Sequence, residues 1–513
     1  MFKSLDSEAS VKHAAEHLRA LINERAEWFC TNAEDSAPFA LRRREIDFQH
    51  AHGSLILSCL SEAGTTVWRI NGWQWVDGRL LLDASRRMGR ERARLQLVPR
   101  ASVASLVALV SETRQARCQM LALLARELWP GARISQARLS AGARRGQPGR
   151  DARILLESRN QSIAVTGDVG EDSTRGTDAF LSSALIWFAR LGERARLARA
   201  SQLWLVARTL NVKPLAQSLA LLRDELRRKI ALFELDDEWQ KLEPVSQLER
   251  AELWRDAPTR LPRLSLWQQS ESAKQLVSLA PQAIDVVRAR HGETLRFHGL
   301  SFARVRRVMN SEKVWFGIEG ARRRLLDEST ARDWERLLEN LREHRRADAS
   351  DHRHALYRAA PESWLESLLR RDITRLDAGL RLAPLHAQFR TTSSASAVAR
   401  PVDLLALRRD GRLVVIELKV SEDREHVLQG ADYWRRVEAH RRCGNLTRAA
   451  LFGDAPIADE PPLVYLAAPT LRFHRTFQLL AQSIAPDIEI FRFDLNEDWR
   501  ASVRVMRRCD FNQ

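Results

Sequence analysis

Glu417 and Lys419 stand two residues apart in GRLVVIELKVSED (411–423), where Leu413, Val414, Val415, Ile416, Leu418 and Val420 are apolar. An apolar run of this kind predicts a strand in the middle of a sheet. Positions i and i+2 of a strand share one face, so the two charges point the same way. Burying them costs several kcal/mol or more unless they are paired, solvated or bound to something. Asp403 opens the preceding strand-like run, and Asp410-Gly411 between the runs reads as a hairpin turn. A hairpin brings residues on adjacent strands within ~5 Å, so Asp403 and Glu417 are expected to converge on an oxygen-rich site suited to Mg²⁺ (or Mn²⁺). Lys419 beside them can orient an attacking water, help deprotonate it, or stabilise charge on a phosphate. The plainer alternative is a Glu417–Lys419 salt bridge on an edge strand, with Asp403 an ordinary strand-start residue.

The elements that must position these groups lie in residues 351–513. PESWLESLLRRDI predicts an amphipathic helix with Pro361 at its start. RPVDLLALRR and the run from Leu413 predict two strands, followed by the helix REHVLQGADYWRRVEAHR. PLVYLAAP, RFHRTFQLLAQSI and DIEIFRFDL then predict strand, helix and closing strand. The order is α-β-β-α-β-α-β.

Over about 360–495 this resembles the PD-(D/E)xK nuclease superfamily, carried by Asp403 and by Glu417-Leu418-Lys419. The proline that usually precedes the aspartate is displaced by one, in Pro401-Val402-Asp403. Gln429-Gly-Ala-Asp-Tyr433 fits the Gln-x-x-x-Tyr element of RecB-like members; Gln429 and Tyr433 share a helical face, which Arg436 extends. The resemblance implies a restriction-endonuclease-like αβββαβ-type core and a Mg²⁺-dependent hydrolysis of phosphodiester bonds. It implies Asp403, Glu417 and the Leu418 carbonyl as metal ligands, with Lys419 positioning water. The family's helix glutamate maps to Glu366, with Glu362 one turn earlier as the alternative. Gln429, Tyr433 and Arg436 would contact the substrate strand. The implied partner is DNA, with RNA as the alternative. Two further readings are a non-catalytic nucleic-acid-binding or scaffold protein with a vestigial nuclease fold, and a DNA-cleaving subunit that requires a partner.

An [Asp/Glu]-x-Lys triplet is weak alone, since random placement gives about one in such a chain. This chain has eight lysines against 74 arginines and only one such triplet. It falls at the end of an apolar strand, one hairpin after an aspartate and just before Gln-x-x-x-Tyr. Lysine at that place, where nearly every other cation is arginine, points to a need for a compact ammonium.

The chain as a whole reads as an α/β (mixed α+β), multidomain protein. Residues 1–130 predict a helix, an antiparallel meander (GSLILSCL, TTVWRINGWQWV, GRLLLDASRR, ARLQLVPR) with a turn at Asp77-Gly78, and a helix over 101–129. Residues 131–236 predict β-β-α-β-α-β, an order that a degenerate copy of the nuclease-like core would have and that common α/β patterns also produce. Residues 237–350 form a mixed helical and β connecting region, and ADASDHRHALYRAAP reads as a linker into the last domain. His352 and His354 in it have no further metal ligand nearby. Trp73 and Trp75 are expected in the core, with base stacking as the alternative, and the arginine-rich 86–94 as a solvated strand face.

Net charge is +16 in 513 residues, a balance that favours polyanionic partners. A GC-rich genome produces the same arginine bias. Five scattered cysteines form no metal-ligand spacing and exclude a disulfide framework. No apolar run reaches the ~18–20 residues of a membrane helix, and MFKSLDSEAS lacks a signal pattern, so no membrane association and a cytoplasmic location are expected. The sequence contains no Walker loop, no GxGxxG opening a helix, no HExxH and no GxSxG to suggest another chemistry.

Overall fold

The computed structural model of the chain describes residues 3–4, 8–25, 27–32, 39–51, 53–61, 64–76, 78–86, 91–99, 103–142, 148–159, 161–170, 176–192, 200–256, 258, 260–263, 268–289, 292–308, 311–318, 323–391 and 400–511. These residues form four separate sheets with helices packed on them, a mixed α/β multidomain architecture. No helix among them is long and apolar enough to cross a membrane.

Near the N-terminus, helix Glu8–Asn23 lays Val11, Ala14, Leu18 and Ile22 on an eight-stranded antiparallel sheet. Within it Ser54–Ser61, Gly64–Val76, Arg79–Arg86 and Glu91–Pro99 run as the expected meander. Asp77 of the predicted turn lies outside the described residues, as do residues 87–90 of the arginine cluster; Arg86 rests over the Trp68 ring. Trp73 is buried beside His17, whereas Trp75 is 40% exposed and meets Trp28 edge-on.

The second sheet has six strands where the sequence pattern predicts four. Arg133–Ala141, Pro148–Ser158 and Gln161–Asp168 form an antiparallel meander. Helices Thr177–Gly192 and Thr209–Leu219 cross over to the parallel strands Ala200–Arg208 and Ile230–Leu235, and Leu242–Val245 closes the sheet antiparallel. Helix Val103–Glu127, grouped by its position in the sequence with residues 1–130, packs Cys118, Leu121, Ala122 and Ala125 on this second sheet instead. Its apolar stripe belongs to that core.

The C-terminal sheet repeats this plan. Helix Pro361–Arg371 precedes an antiparallel meander of His386–Phe389, Val402–Leu407 and Leu413–Leu418. Crossover helices His426–Arg442 and Phe477–Ser483 lead to parallel strands Leu463–Pro469 and Ile490–Leu495, and Val505–Asp510 closes antiparallel. Two of these strands are not apparent from the sequence pattern. His386–Phe389 reads HAQF, without alternation, and Val505–Asp510 reads VMRRCD, polar and mostly exposed. Both are edge strands, held by one neighbour. The two six-stranded sheets thus share strand order, strand directions and helix placement.

Between them in sequence, a five-stranded antiparallel sheet with helix Ala331–His344 packs against the last domain. The expected linker is firmly fastened rather than loose. The Arg345 guanidinium, fully buried, donates to the carbonyls of Phe297, His298, Leu356, Ala359 and Ala360, and lies over the Trp364 ring. Burial, and Arg500 nearby, push its pKa down to about 9. His354 is part of the same junction, accepting the Leu356 N–H as a helix cap. Gly299 (φ +79°) lets this junction approach the helix start: a Cβ there would collide with the Ser363 carbonyl.

Arg345→Met should lower stability by about 3 kcal/mol or more, because orphaned buried carbonyls cost roughly 1–3 kcal/mol each. Denaturant melts would show it, and Arg345→Lys should recover little, since one ammonium cannot serve five acceptors.

Candidate active site

Six consecutive buried residues, Leu413–Leu418, make the strand an interior one, third of six. The edge-strand alternative therefore does not hold, although the salt bridge it invoked does form. Val414, Ile416 and Leu418 pack toward Trp364, Leu365 and Leu369 of helix Pro361–Arg371. Leu413 and Val415 face Tyr433 and Val437 of helix His426–Arg442. Glu417 follows on that second face, 1% exposed. Gly430 permits the helix to lie this close: a Cβ there would come within 2.7 Å of Leu466.

Asp403 stands one residue beyond the Leu404–Ile416 pair, opposite Glu417. Its Oδ2 accepts the Leu418 N–H at 2.9 Å, and its carboxyl is within hydrogen-bond reach of Glu417. Lys419 Nζ donates to Glu417 Oε1 at 2.6 Å and lies 3.6 Å from Asp423 Oδ2. Burial and then Asp403 push the Glu417 carboxyl well above the usual range, against the pull of Lys419. Burial would lower the Lys419 ammonium, but Glu417 outweighs it and the net direction is up. The carboxylates around Lys419 thus favour its ammonium form.

The two helix glutamates divide. Glu366, 3% exposed, accepts from Arg296 of the five-stranded sheet at 3.2 Å and from Gln388 Nε2 at 2.9 Å. Glu362 is half-buried and feels Lys419 and Asp403. Burial raises the pKa of both carboxyls. Gln388 also reaches Asp403 Oδ1 at 3.3 Å, so one amide joins Glu366 to Asp403. It does so from a left-handed backbone (φ +51°), uncommon for a residue with a Cβ. Sequence reasoning missed Gln388 and Arg296. Neither lies in a motif, and the HAQF strand carries no periodic signal.

Gln429 and Tyr433 are both buried, and Gln429 Nε2 donates to Tyr433 Oη at 2.7 Å. They back Glu417 from the helix side, rather than forming an open surface. Arg436 is engaged too: Nη2 pairs with Asp432 at 2.8 Å, Nη1 donates to the Arg400 carbonyl at 2.8 Å, and the guanidinium lies over the Tyr433 ring. Burial would raise the Asp432 pKa, yet Arg436 and Arg435 hold it down to about 2.

Among the described residues no group of three or more His, Cys, Asp or Glu is arranged to hold a metal ion. The donor set at this site is two carboxylates, Asp403 and Glu417, beside the Leu418 backbone. Glu417 Oε2 is buried without a hydrogen-bond partner, as are Gln429 Oε1 and Arg436 Nε. An orphaned carboxylate oxygen next to a second carboxylate fits a hard divalent cation whose remaining ligands are water and substrate oxygens.

No family model and no curated relative matches the sequence. Two solved structures show similarity. A structure of EndoMS in apo form is 11% identical, covers 44% of this chain and 94% of its own, with a TM-score of 0.14. A repair endonuclease from Pyrococcus abyssi is 13% identical, covers 40% of this chain and 88% of its own, with a TM-score of 0.12.

Proposed function

We propose that the C-terminal sheet is a Mg²⁺- or Mn²⁺-dependent nuclease that hydrolyses phosphodiester bonds of DNA. The observation that supports this best is the buried Glu417 Oε2, which receives no hydrogen bond and lies beside the Asp403 carboxyl, with Lys419 Nζ bonded to the other oxygen of the same carboxylate at 2.6 Å. Asp403 and Glu417 would hold the ion, with the Leu418 carbonyl a further ligand. A bound divalent cation supplies Lewis acidity toward water and phosphate oxygens.

The remaining work falls to the chain's own groups. Asp403 is held in place by the Leu418 amide and by Gln388, which Glu366 and Arg296 in turn orient. Lys419 presents its ammonium where charge builds on a phosphate oxygen. Glu362, its carboxyl raised by burial and facing Lys419, is placed to take a proton from the attacking water. Gln429 and Tyr433 close the site behind Glu417. The +16 charge of the chain suits a polyanionic substrate.

Cleavage of plasmid and single-stranded DNA should require Mg²⁺ or Mn²⁺ and stop with chelator. Asp403→Asn should slow it by about 100-fold or more. DNA binding without cleavage on every substrate would favour a scaffold role instead.

Binding of the ion can be read without activity. In chelator, Glu417→Gln should raise stability by about 1 kcal/mol, because it replaces facing carboxylates by a hydrogen bond. The same variant should lose the rise in melting temperature that Mn²⁺ gives the unaltered chain. Gln388→Leu should weaken Mn²⁺ binding roughly 10-fold, as loss of a group that orients a ligand does, measured by calorimetric titration.

A further inference from the structure

The two six-stranded sheets face each other through their crossover helices. One apolar cluster joins Leu181 and Leu185 of Thr177–Gly192 to Leu428 and Trp434 of His426–Arg442, and continues to Leu219 and Leu480 on the second crossovers. The contact is reciprocal. After the second crossover of each unit, Leu222 and Ile484 form an antiparallel bridge: the Arg223 N–H donates to the Ser483 carbonyl, and the Ala485 N–H to that of Leu221. Corresponding elements meeting each other is the signature of a two-fold pair. Here both members lie in one chain.

The strand registers say which residues correspond. Leu418 pairs with Ala467, two residues before its strand ends at Pro469; Gly167 pairs with Val206, two before its strand ends at Arg208. Thr166 therefore stands where Glu417 does, and Asp168 where Lys419 does. Arg153 pairs with Thr166 and so takes the place of Asp403. A guanidinium in place of a carboxylate repels a divalent cation, and Thr166 offers no anionic ligand. The two facing carboxylates of this sheet are both engaged: Asp168 accepts from Arg150 at 2.9 Å, and Asp151 from Ser183 Oγ at 2.7 Å.

We infer that this chain is a fused two-fold pair with one productive centre, and that it therefore cuts a single strand of duplex DNA per engagement, leaving a nick. The inference rests on the nuclease reading above. In the step, the water oxygen bonds to phosphorus and the bond from phosphorus to the leaving oxygen breaks. The water proton ends on that oxygen, giving one phosphate and one hydroxyl terminus, with the opposite strand intact.

Supercoiled plasmid is the probe, with the full chain, Mg²⁺ and a series of protein concentrations. Open-circular product should accumulate to near completion before linear product appears, at every concentration. Lys419→Met should abolish nicking, and Asp168→Asn should leave it unchanged. Linear product forming in step with open-circular product would overturn the single-centre inference while sustaining the nuclease reading. Loss of nicking in Asp168→Asn would do the same. No cleavage with either Mg²⁺ or Mn²⁺ would overturn both.

Discussion

Glu417 in the interior of a sheet is the constraint around which the C-terminal domain is arranged. A carboxylate with almost no solvent contact faces a second carboxylate across one strand pair. Desolvation and like charge both oppose ionisation there. Lys419, two residues on, offsets this for one oxygen and leaves the other without a partner. Such an arrangement lowers stability relative to an apolar strand. It persists because the surrounding packing on both faces of the strand over-determines its geometry.

That packing comes from three directions. Helix Pro361–Arg371 covers one face with Trp364, Leu365 and Leu369, and its two glutamates reach the charged end of the sheet. Helix His426–Arg442 covers the other, where Gly430 allows close approach and Tyr433 and Gln429 form a hydrogen-bonded backing. The five-stranded sheet adds Arg296 from outside the domain, and Arg345 clamps the same junction through carbonyl oxygens. Charge at the site is therefore balanced by residues from two different sheets. A change in how the five-stranded sheet seats would reach Asp403 through Arg296, Glu366 and Gln388.

Repetition of one topology gives the chain a two-fold interface without a second subunit. Fusion frees the two halves from identity. One carries Asp403, Glu417 and Lys419; the other carries Arg153, Thr166 and Asp168 at the same places. The apolar contact between crossover helices is insensitive to what lies at the strand ends, so the interface and the chemistry are free to diverge separately.

Much of this was legible in the residue order. Local, periodic signals marked the apolar strand with its charge pair, the hairpin to Asp403, the helices on either side, the N-terminal meander and the α/β order of the middle region. Such signals depend on neighbours in sequence, and the strand's own apolar run already required a reason for Glu417 and Lys419. What only the tertiary structure decided involves partners far along the chain. Gln388 and Arg296 at the site, the separation of Glu362 from Glu366, the burial of Gln429 and Tyr433, the pairing of Arg436 with Asp432, and the docking of Val103–Glu127 on the second sheet leave no periodic trace. Edge strands such as His386–Phe389 are held by a neighbour's ladder rather than by their own pattern. The equivalence of the two six-stranded sheets lies in strand order and direction, which residue identities at equivalent positions, Arg153 for Asp403, do not preserve.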